Sequence, residues 1–181
     1  MKYLLILLIP YLLSATNINH KWVEQQLAIL TVDQKEVIMR AHHHGSLLHI
    51  NGVSYGLTAA ALTLVESSAG KFRSGDKGQS SGLTHMGLTR ARELLVNHPI
   101  YEELLYLSDK ELSEKLKYSD SFNMNLALLN FKKNFQRWGD YSKAIRAHNG
   151  YAPDRGFHNR AYYERFMNAM QVVKQVVKEE L

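Results

Sequence analysis

An almost purely apolar, alanine-rich run extends from Tyr55 to Val65. A helix that is apolar on nearly every side has to be covered by other elements on several sides. The chain has no cysteine, so disulfides cannot stabilise its fold, and packing around such a helix has to do so. The run therefore predicts a buried helix from Ser54 to Ser68 within a mainly helical fold, with Gly70 as its C-terminal stop.

Helical spacing of apolar residues recurs on both sides of this run. His20 to Arg40 has the pattern of an amphipathic helix, and Thr31-Val32-Asp33 offers a point at which it divides into two. A glycine-rich loop or small hairpin is expected from Ser74 to Gly82. Further helices are predicted for Leu88 to Val96, for a segment capped by Ser108 to Glu111, for Phe122 to Trp138, for Tyr141 to His148, and from Tyr162 to the C-terminus.

The first residues of the chain have the pattern of a signal peptide, predicted here over residues 1–15. Lys2 gives a positive start, Tyr3 to Leu13 is apolar, and Ser14-Ala15 ends the segment with small residues. The apolar part is about a dozen residues, shorter than the roughly twenty that span a bilayer, so we expect cleavage near Ala15 and then no stable membrane insertion. The alternative is a segment that stays uncleaved as a membrane tether. Residues 16–181 would then form a single domain.

Charge and histidine content bear on the expected partners and cofactors. The formal charge of +5 suits work beside an anionic polymer or simply aids solubility, and the chain has no cluster of basic residues that predicts nucleic-acid binding. The triplet His42-His43-His44, with His49 nearby, invites a metal interpretation. Consecutive helical residues point in different directions, so three adjacent histidines cannot face one ion. We therefore expect a solvated helix end closing at Gly45, with no metal and no other cofactor.

Glu66 ends the apolar run. Apolar surroundings disfavour a carboxylate and raise its pKa, so a glutamate in that setting can be protonated at neutral pH. A glycosidic oxygen is a poor leaving group until it is protonated, and a protonated glutamate can serve as its general acid. A single glutamate at a helix end more often faces water, so this position alone decides little.

Three short motifs occur in order along the chain. Glu66-Ser67-Ser68 ends the apolar helix, Gly82-Leu83-Thr84-His85 follows the glycine-rich loop, and Ala147-His148-Asn149-Gly150 ends a later helix. Their order and spacing resemble the transglycosylase SLT family, the soluble-type lytic transglycosylases of the lysozyme-like superfamily. That family has a catalytic Glu-Ser, commonly Gly-Leu-Met-Gln, and commonly Ala-Tyr-Asn-Gly. The resemblance covers about Leu57 to Tyr163 and includes an Asn-x-x-x-Ala pattern that begins at Asn123.

The resemblance implies a lysozyme-like helical domain with a small loop or hairpin region beside a glycan-binding groove. Glu66 would be the acid/base. The residues implied to bind the substrate or shape its groove are Ser67, Gly82, Leu83, His85, His148, Asn149, Gly150, Tyr151 and Tyr162. Ser67 would orient Glu66 or hold the substrate's N-acetyl group. Sugars could also stack on the aromatic residues Tyr55, Phe72, Tyr141 and, above all, Tyr151.

Two positions depart from the family pattern. Thr84-His85 stands where Met-Gln is usual, and His148 stands where tyrosine is usual. Both histidines can still form hydrogen bonds: His85 to a sugar, and His148 to Glu66 as a tyrosine hydroxyl would. The alternative is that both are ordinary structural histidines. Because histidine titrates near neutrality, these replacements leave the pH optimum and the fine specificity open.

The activity implied by the resemblance is cleavage of the MurNAc-GlcNAc β-1,4 bond of peptidoglycan, leaving a 1,6-anhydroMurNAc end. Glu66 would protonate the leaving oxygen and then act as a base, as a single residue can in both steps. Two alternatives stay open: a hydrolytic muramidase that pairs Glu66 with Asp76, and a non-catalytic assembly factor that binds peptidoglycan. The resemblance also implies an exported protein of the periplasm or cell envelope that opens the wall locally for a secretion or conjugation apparatus.

Overall fold

The computed structural model describes residues 18–75, 79–150 and 156–180. Helices dominate this part of the chain, and its strands form two small antiparallel sheets, which confirms the prediction of a mainly helical fold. The predicted signal peptide, Asp76 and Tyr151 lie outside the described residues. No helix within the described ranges is both long enough and apolar enough to cross a membrane.

The elements follow one another with short connections. The helices are α1 (His20–Ile29), α2 (Val32–Ser46), α3 (Gly56–Ser67), α4 (Leu88–Val96), α5 (Asp109–Tyr118), α6 (Asp120–Trp138), α7 (Tyr141–His148) and α8 (Gly156–Glu180), with a 3-10 helix over Pro99–Tyr106. The strands are β1 (His49–Ile50), β2 (Val53–Ser54), β3 (Ser74–Gly75), β4 (Ser80–Ser81) and β5 (Met86–Gly87).

The predicted division between the first two helices is confirmed. Thr31 caps α2 through a reciprocal pair of hydrogen bonds with Gln34, which satisfies backbone donors at the helix start. The prediction that α2 closes at Gly45 is wrong, because the helix continues through Gly45 to Ser46. Gly45 packs closely against α3, where an added Cβ would lie 2.5 Å from the Cβ of Ala59. This glycine therefore permits a close helix crossing instead of ending the helix.

Both small sheets are antiparallel, one with two strands and one with three. The predicted hairpin after α3 is confirmed: β3 pairs with β4, and β5 adds a third strand that the sequence did not predict. The hairpin of β1 and β2 was also not predicted, although its turn residues Asn51 and Gly52 form a pair typical of tight hairpin turns. Both turn residues have positive φ angles, 53° and 77°, as such a turn requires.

Two apolar clusters form the core, and α6 contributes to both. Met124, Leu128 and Phe131 face the first cluster, which contains most of α3 and the buried face of α8. Phe122, Leu126 and Ala127 face the second cluster, which contains α4 and α5. Met124, Leu128 and Phe131 follow one another at intervals of four and three residues. Leu126 and Ala127 follow Phe122 by four and five residues, so the two clusters lie against different faces of the same helix.

The remaining helix boundaries agree with the sequence in most places. α4 and α7 have the predicted limits, and Ser108 forms the predicted capping box with Glu111 at the start of α5. α8 begins at Gly156, earlier than the predicted start at Tyr162. Tyr162 therefore lies within a helix that is already formed, and packing against the first cluster fixes its position.

Candidate active site

Glu66 lies in the last turn of α3, the helix formed by the apolar run. The residues around it on this helix are almost all buried, from Ala59 to Leu64 with at most 6% exposure. Its own side chain is 16% exposed, so the carboxyl group is largely shielded from water while still reaching the surface. The expected placement of a glutamate at the end of a buried helix is therefore confirmed.

The end of α3 is held by hydrogen bonds that use Ser67. Its Oγ donates to the carbonyl of Thr63 at 3.1 Å and accepts from the backbone N–H of Gly70 at 2.9 Å. The last helical residue is Ser67, and Ser68, whose φ of 50° is left-handed, caps the helix in place of the predicted stop at Gly70. Ser67 has no exposed surface, so the structure does not bring it to a position where it can touch a substrate. It fixes the backbone that carries Glu66 instead.

Tyr162 of α8 reaches across the core to Glu66. Its hydroxyl donates to Glu66 Oε1, with 2.5 Å between the two oxygens. Burial and the nearby negative charge of Glu66 raise the pKa of Tyr162 well above its ordinary value. The phenol therefore keeps its proton throughout the physiological pH range and remains a donor to the carboxylate.

The second motif forms a tight turn that is packed into the protein. Gly82 has a φ of 86°, and an added Cβ would lie 2.2 Å from the carbonyl oxygen of Leu116. Leu83 is only 2% exposed and belongs to the first cluster. The prediction that Gly82 and Leu83 line a groove is therefore not supported: both residues anchor the turn, and neither presents a free face.

Asn123 of α6 holds this turn in place. Its Oδ1 accepts from both the backbone N–H and the hydroxyl of Thr84 at 2.9 Å, and its Nδ2 donates to the carbonyl of Ser81 at 2.9 Å. Asn123 is fully buried. The only sequence signal for Asn123 was its position as the first residue of the Asn-x-x-x-Ala pattern, which indicated no role at the site.

The packed turn presents His85 toward Glu66. His85 Nδ1 lies 3.9 Å from Glu66 Oε2, and the two side chains are 17% and 16% exposed. Its Nε2 lies 2.8 Å from the carbonyl oxygen of Phe72. The backbone of His85 is left-handed, with a φ of 44°. The structure thus brings the first and second motifs together at the carboxyl group of Glu66.

The third motif ends α7, and its residues have separate surroundings. His148 Nδ1 lies 3.3 Å from Asn130 Nδ2, and burial together with the charge of Arg90 lowers the pKa of His148 to about 4. His148 is therefore neutral at pH 7. The tyrosine-like donation to Glu66 that was expected of His148 is made by Tyr162. Asn149 caps α7, and the exposed Gly150 follows it with a φ of 86°.

The aromatic residues expected to stack on sugars differ in exposure. Phe72 is 57% exposed and follows α3 closely, so its ring is available to a ligand. Tyr55 is buried and packs against Phe131, 5.1 Å between ring centroids, so it is a core residue. Tyr141 packs on the same ring at 5.7 Å and donates to or accepts from Thr58 at 2.8 Å.

The side chains of His42, His43 and His44 lie in three different surroundings and do not face a common point. His42 packs on Gly56, His43 is exposed, and His44 Nε2 lies 2.6 Å from Asn125 Oδ1 on α6. Burial lowers the pKa of His42, and the neighbouring charge of His43 lowers it further. Among residues 18–75, 79–150 and 156–180, no group of three or more His, Cys, Asp or Glu side chains could hold a metal ion.

The arrangement around Glu66 suits proton transfer. A protonated phenol contacts one carboxyl oxygen, an imidazole faces the other, and both are held by packed elements. Such a carboxyl group can give up a proton and take one back without moving its neighbours. Comparison with protein-family models, with curated proteins and with solved structures found no match for this chain.

Proposed function

We propose that this protein is a peptidoglycan lytic transglycosylase with a lysozyme-like fold, in which Glu66 is the single acid/base. The observation that carries the proposal is the hydrogen bond from Tyr162 to Glu66 at the end of a buried helix. It joins Glu66 of the first motif to a residue of α8 that lies 96 positions later in the sequence, and it orients a shielded carboxyl group. The order of the three motifs supplies the substrate class.

In the first step, Glu66 gives its proton to the glycosidic oxygen between MurNAc and GlcNAc. The 2-acetamido oxygen of the MurNAc residue attacks its own anomeric carbon, and the bond to the leaving oxygen breaks. Because Tyr162 donates to Oε1, Oε2 is the oxygen suited to carry the transferred proton. The hydrogen bond also stabilises the carboxylate that remains after the transfer.

In the second step, the Glu66 carboxylate takes the proton of the C6 hydroxyl. That oxygen bonds to the anomeric carbon as the acetamido oxygen leaves, which closes the 1,6-anhydro ring and restores the protonated Glu66. No water is consumed, and one residue serves first as acid and then as base. Phe72, exposed beside the site, is the aromatic face that we propose for contact with a sugar.

The remaining parts of the proposal concern location and partners. A signal peptide over residues 1–15 would deliver the enzyme to the periplasm or cell envelope, where peptidoglycan lies. We propose that it opens the wall locally for an envelope-spanning machine such as a secretion or conjugation apparatus. Asn149, Gly150 and Tyr151 are proposed to shape the floor of the glycan groove.

The proposal is tested with purified protein that begins at Thr16, incubated with peptidoglycan sacculi. Released muropeptides are identified by mass spectrometry for the wild type, for Glu66→Gln, and for the exposed control Glu36→Gln. Anhydro ends that disappear only in Glu66→Gln are the expected result. Reducing ends would contradict it and point to a muramidase that uses Asp76. Binding to sacculi without release, unchanged by Glu66→Gln, would contradict it in favour of an assembly factor.

A further inference from the structure

We infer that His85 acts through Glu66, as the partner with which Glu66 shares one proton, and not as a donor to the sugar. Its part in catalysis rests on the proposed function, whereas the pair itself can be observed in the resting protein. The imidazole occupies a position where the resembling family commonly has glutamine, which cannot exchange a proton with a carboxyl group at neutral pH.

The backbone of Phe72 orients the imidazole ring of His85. His85 Nε2 lies 2.8 Å from the carbonyl oxygen of Phe72, and a carbonyl oxygen only accepts hydrogen bonds. Nε2 therefore carries a proton in both the neutral and the charged ring. In the neutral ring, the lone pair is then on Nδ1, the nitrogen that faces Glu66 Oε2.

The imidazole ring of His85 also packs closely against Gly75 of β3. An added Cβ on Gly75 would lie 2.8 Å from His85 Nδ1 and 2.7 Å from Ser80 Oγ, distances at which something must shift. The ring thus rests on a residue that has no side chain. The position suits this role, because a larger residue at Gly75 would push the imidazole away from its place beside Glu66.

The backbone of His85 has an unusual left-handed conformation. Its φ of 44° is one that residues other than glycine rarely adopt, so the surrounding structure must enforce it. The preceding turn supplies this constraint. The backbone N–H and the hydroxyl of Thr84 both donate to Asn123, and Gly82 packs on α5 and α6. A strained residue at a functional site is a common way to fix a side chain precisely where the chemistry needs it.

The low exposure of the His85 and Glu66 side chains and the distance between them also favour a direct interaction. The two side chains are each about one-sixth exposed, so little water screens the interaction between them. The separation of 3.9 Å is an ion-pair distance and is too long for a hydrogen bond, but such contacts often tighten when substrate binds. Tyr162 faces the other carboxyl oxygen from α8, and the nearby Arg73 cation is paired with Asp120.

In the proposed cycle the pair enters with one proton, carried on Glu66 Oε2, which the lone pair of His85 Nδ1 faces. The acid step moves this proton to the leaving oxygen, and the base step returns one from the C6 hydroxyl to Glu66. If the pair entered with a second proton, on His85, the acid step would leave a charged imidazolium beside the Glu66 carboxylate and weaken that carboxylate as a base. Loss of the last proton would remove the acid. The rate therefore falls on both sides of the optimum.

The pair is tested first without any activity measurement. The imidazole nitrogens of His85 are followed by nitrogen-15 NMR over pH in the wild type and in Glu66→Gln. We expect the neutral ring to carry its proton on Nε2, and we expect the Nδ1 signal to follow two coupled steps in the wild type and one in Glu66→Gln. A neutral ring protonated on Nδ1, or the same single step in both proteins, would overturn the inference.

The second test is the pH profile of anhydro-end release. Replacement of His85 by glutamine should abolish the acid-side fall in rate while the alkaline-side fall remains. Gly75→Ala should have the same effect by displacing the ring, whereas Gly87→Ala should keep both sides, since an added Cβ at Gly87 meets no atom closer than 4.0 Å. Asp76→Asn and Lys77→Gln control for the charges that follow Gly75 in the chain.

The outcomes separate the two proposals. An unchanged two-sided profile in His85→Gln, with only a higher KM, would overturn the inference and make His85 a sugar contact. If the wild type releases no anhydro ends, the proposed function fails, and the NMR result still decides whether the pair exists. If Gly75→Ala does not fold, His85→Gln and the NMR titration remain decisive, because neither changes a residue of β3.

Discussion

The hydroxyl of Tyr162 is the group whose removal most directly probes the orientation of Glu66. Tyr162→Phe keeps the buried ring and deletes only the donor to Oε1. A hydrogen bond to a charged group contributes about 1.5–3 kcal/mol, so kcat should fall about 10- to 100-fold. Tyr163→Phe is the matched control, since its ring is also buried on α8. Equal losses in both variants would mean that the hydroxyl of Tyr162 has no special role.

Asn123 supports the site without touching Glu66. Asn123→Ala would leave the carbonyl of Ser81 and the backbone N–H of Thr84 buried and without their partner. Each such group costs about 1–3 kcal/mol, so the free energy of unfolding should fall by about 2–6 kcal/mol. Urea denaturation measures this, with the exposed Asn97→Ala as a control expected to lose less than about 0.5 kcal/mol. A loss no larger than that of the control would contradict the anchoring role.

His148 should make the protein less stable in acid. Its pKa is about 4 in the folded protein, below the ordinary value of about 6.5, so the unfolded chain binds more protons between these values. Its contribution is complete above about pH 6.5 and is lost as the pH falls to about 4, by up to about 3 kcal/mol. Urea denaturation at pH 7 and pH 4.5 checks this, and His148→Gln should reduce the difference. An equal difference in the variant would contradict it.

The sequence placed Glu66 correctly because the end of an apolar run is a local property of the chain. Ser67 was expected either to orient Glu66 or to hold the substrate's N-acetyl group. It follows the buried Thr63 by one helical turn and shares its buried face, which favours the first of these roles. The contact between His85 and Glu66 could not be predicted, since it depends on a left-handed backbone and on anchoring from α6. Local signals cannot reveal such tertiary constraints.

Several helix ends were predicted correctly from a capping side chain or a glycine that follows the helix. Ser108 and Thr31 cap their helices as their patterns indicate, and Gly139 ends α6 in a left-handed conformation. The hairpin at Asn51-Gly52 was missed despite a recognisable turn pair, because strands of two residues show no alternation of apolar and polar positions. Gly45 was misassigned because its role depends on the crossing of α2 with α3.

The C-terminus of α3 contains strain that a glycine would relieve. Ser68 caps the helix with a φ of 50°, a conformation that costs a residue with a Cβ about 1–2 kcal/mol. Ser68→Gly should therefore raise the free energy of unfolding by about 1 kcal/mol, measured by urea denaturation. The control is Ser46→Gly at the end of α2, which has no left-handed cap and should lose stability. Destabilisation in both variants would contradict this explanation.

At the scale of the whole molecule, both apolar clusters support the site, and the turn before His85 also contacts the first cluster through Leu83. Glu66 and Tyr162 are held by helices of the first cluster, α3 and α8. The turn before His85 packs on Leu116 and Asn123, which belong to α5 and α6 beside the second cluster. The distance between Glu66 and His85 therefore depends on how the clusters meet along α6. The sequence indicated the helices on each side, but not this junction.

The central claim is that Glu66 cleaves the glycan without consuming water. It is tested most directly by digesting sacculi in water enriched in oxygen-18 and measuring the masses of the new MurNAc ends. A lytic transglycosylase closes the C6 oxygen onto the anomeric carbon, so we predict anhydro ends that contain no oxygen-18 and that are absent with Glu66→Gln. Reducing ends that carry oxygen-18 at the anomeric carbon would contradict the claim, since water would then be the nucleophile.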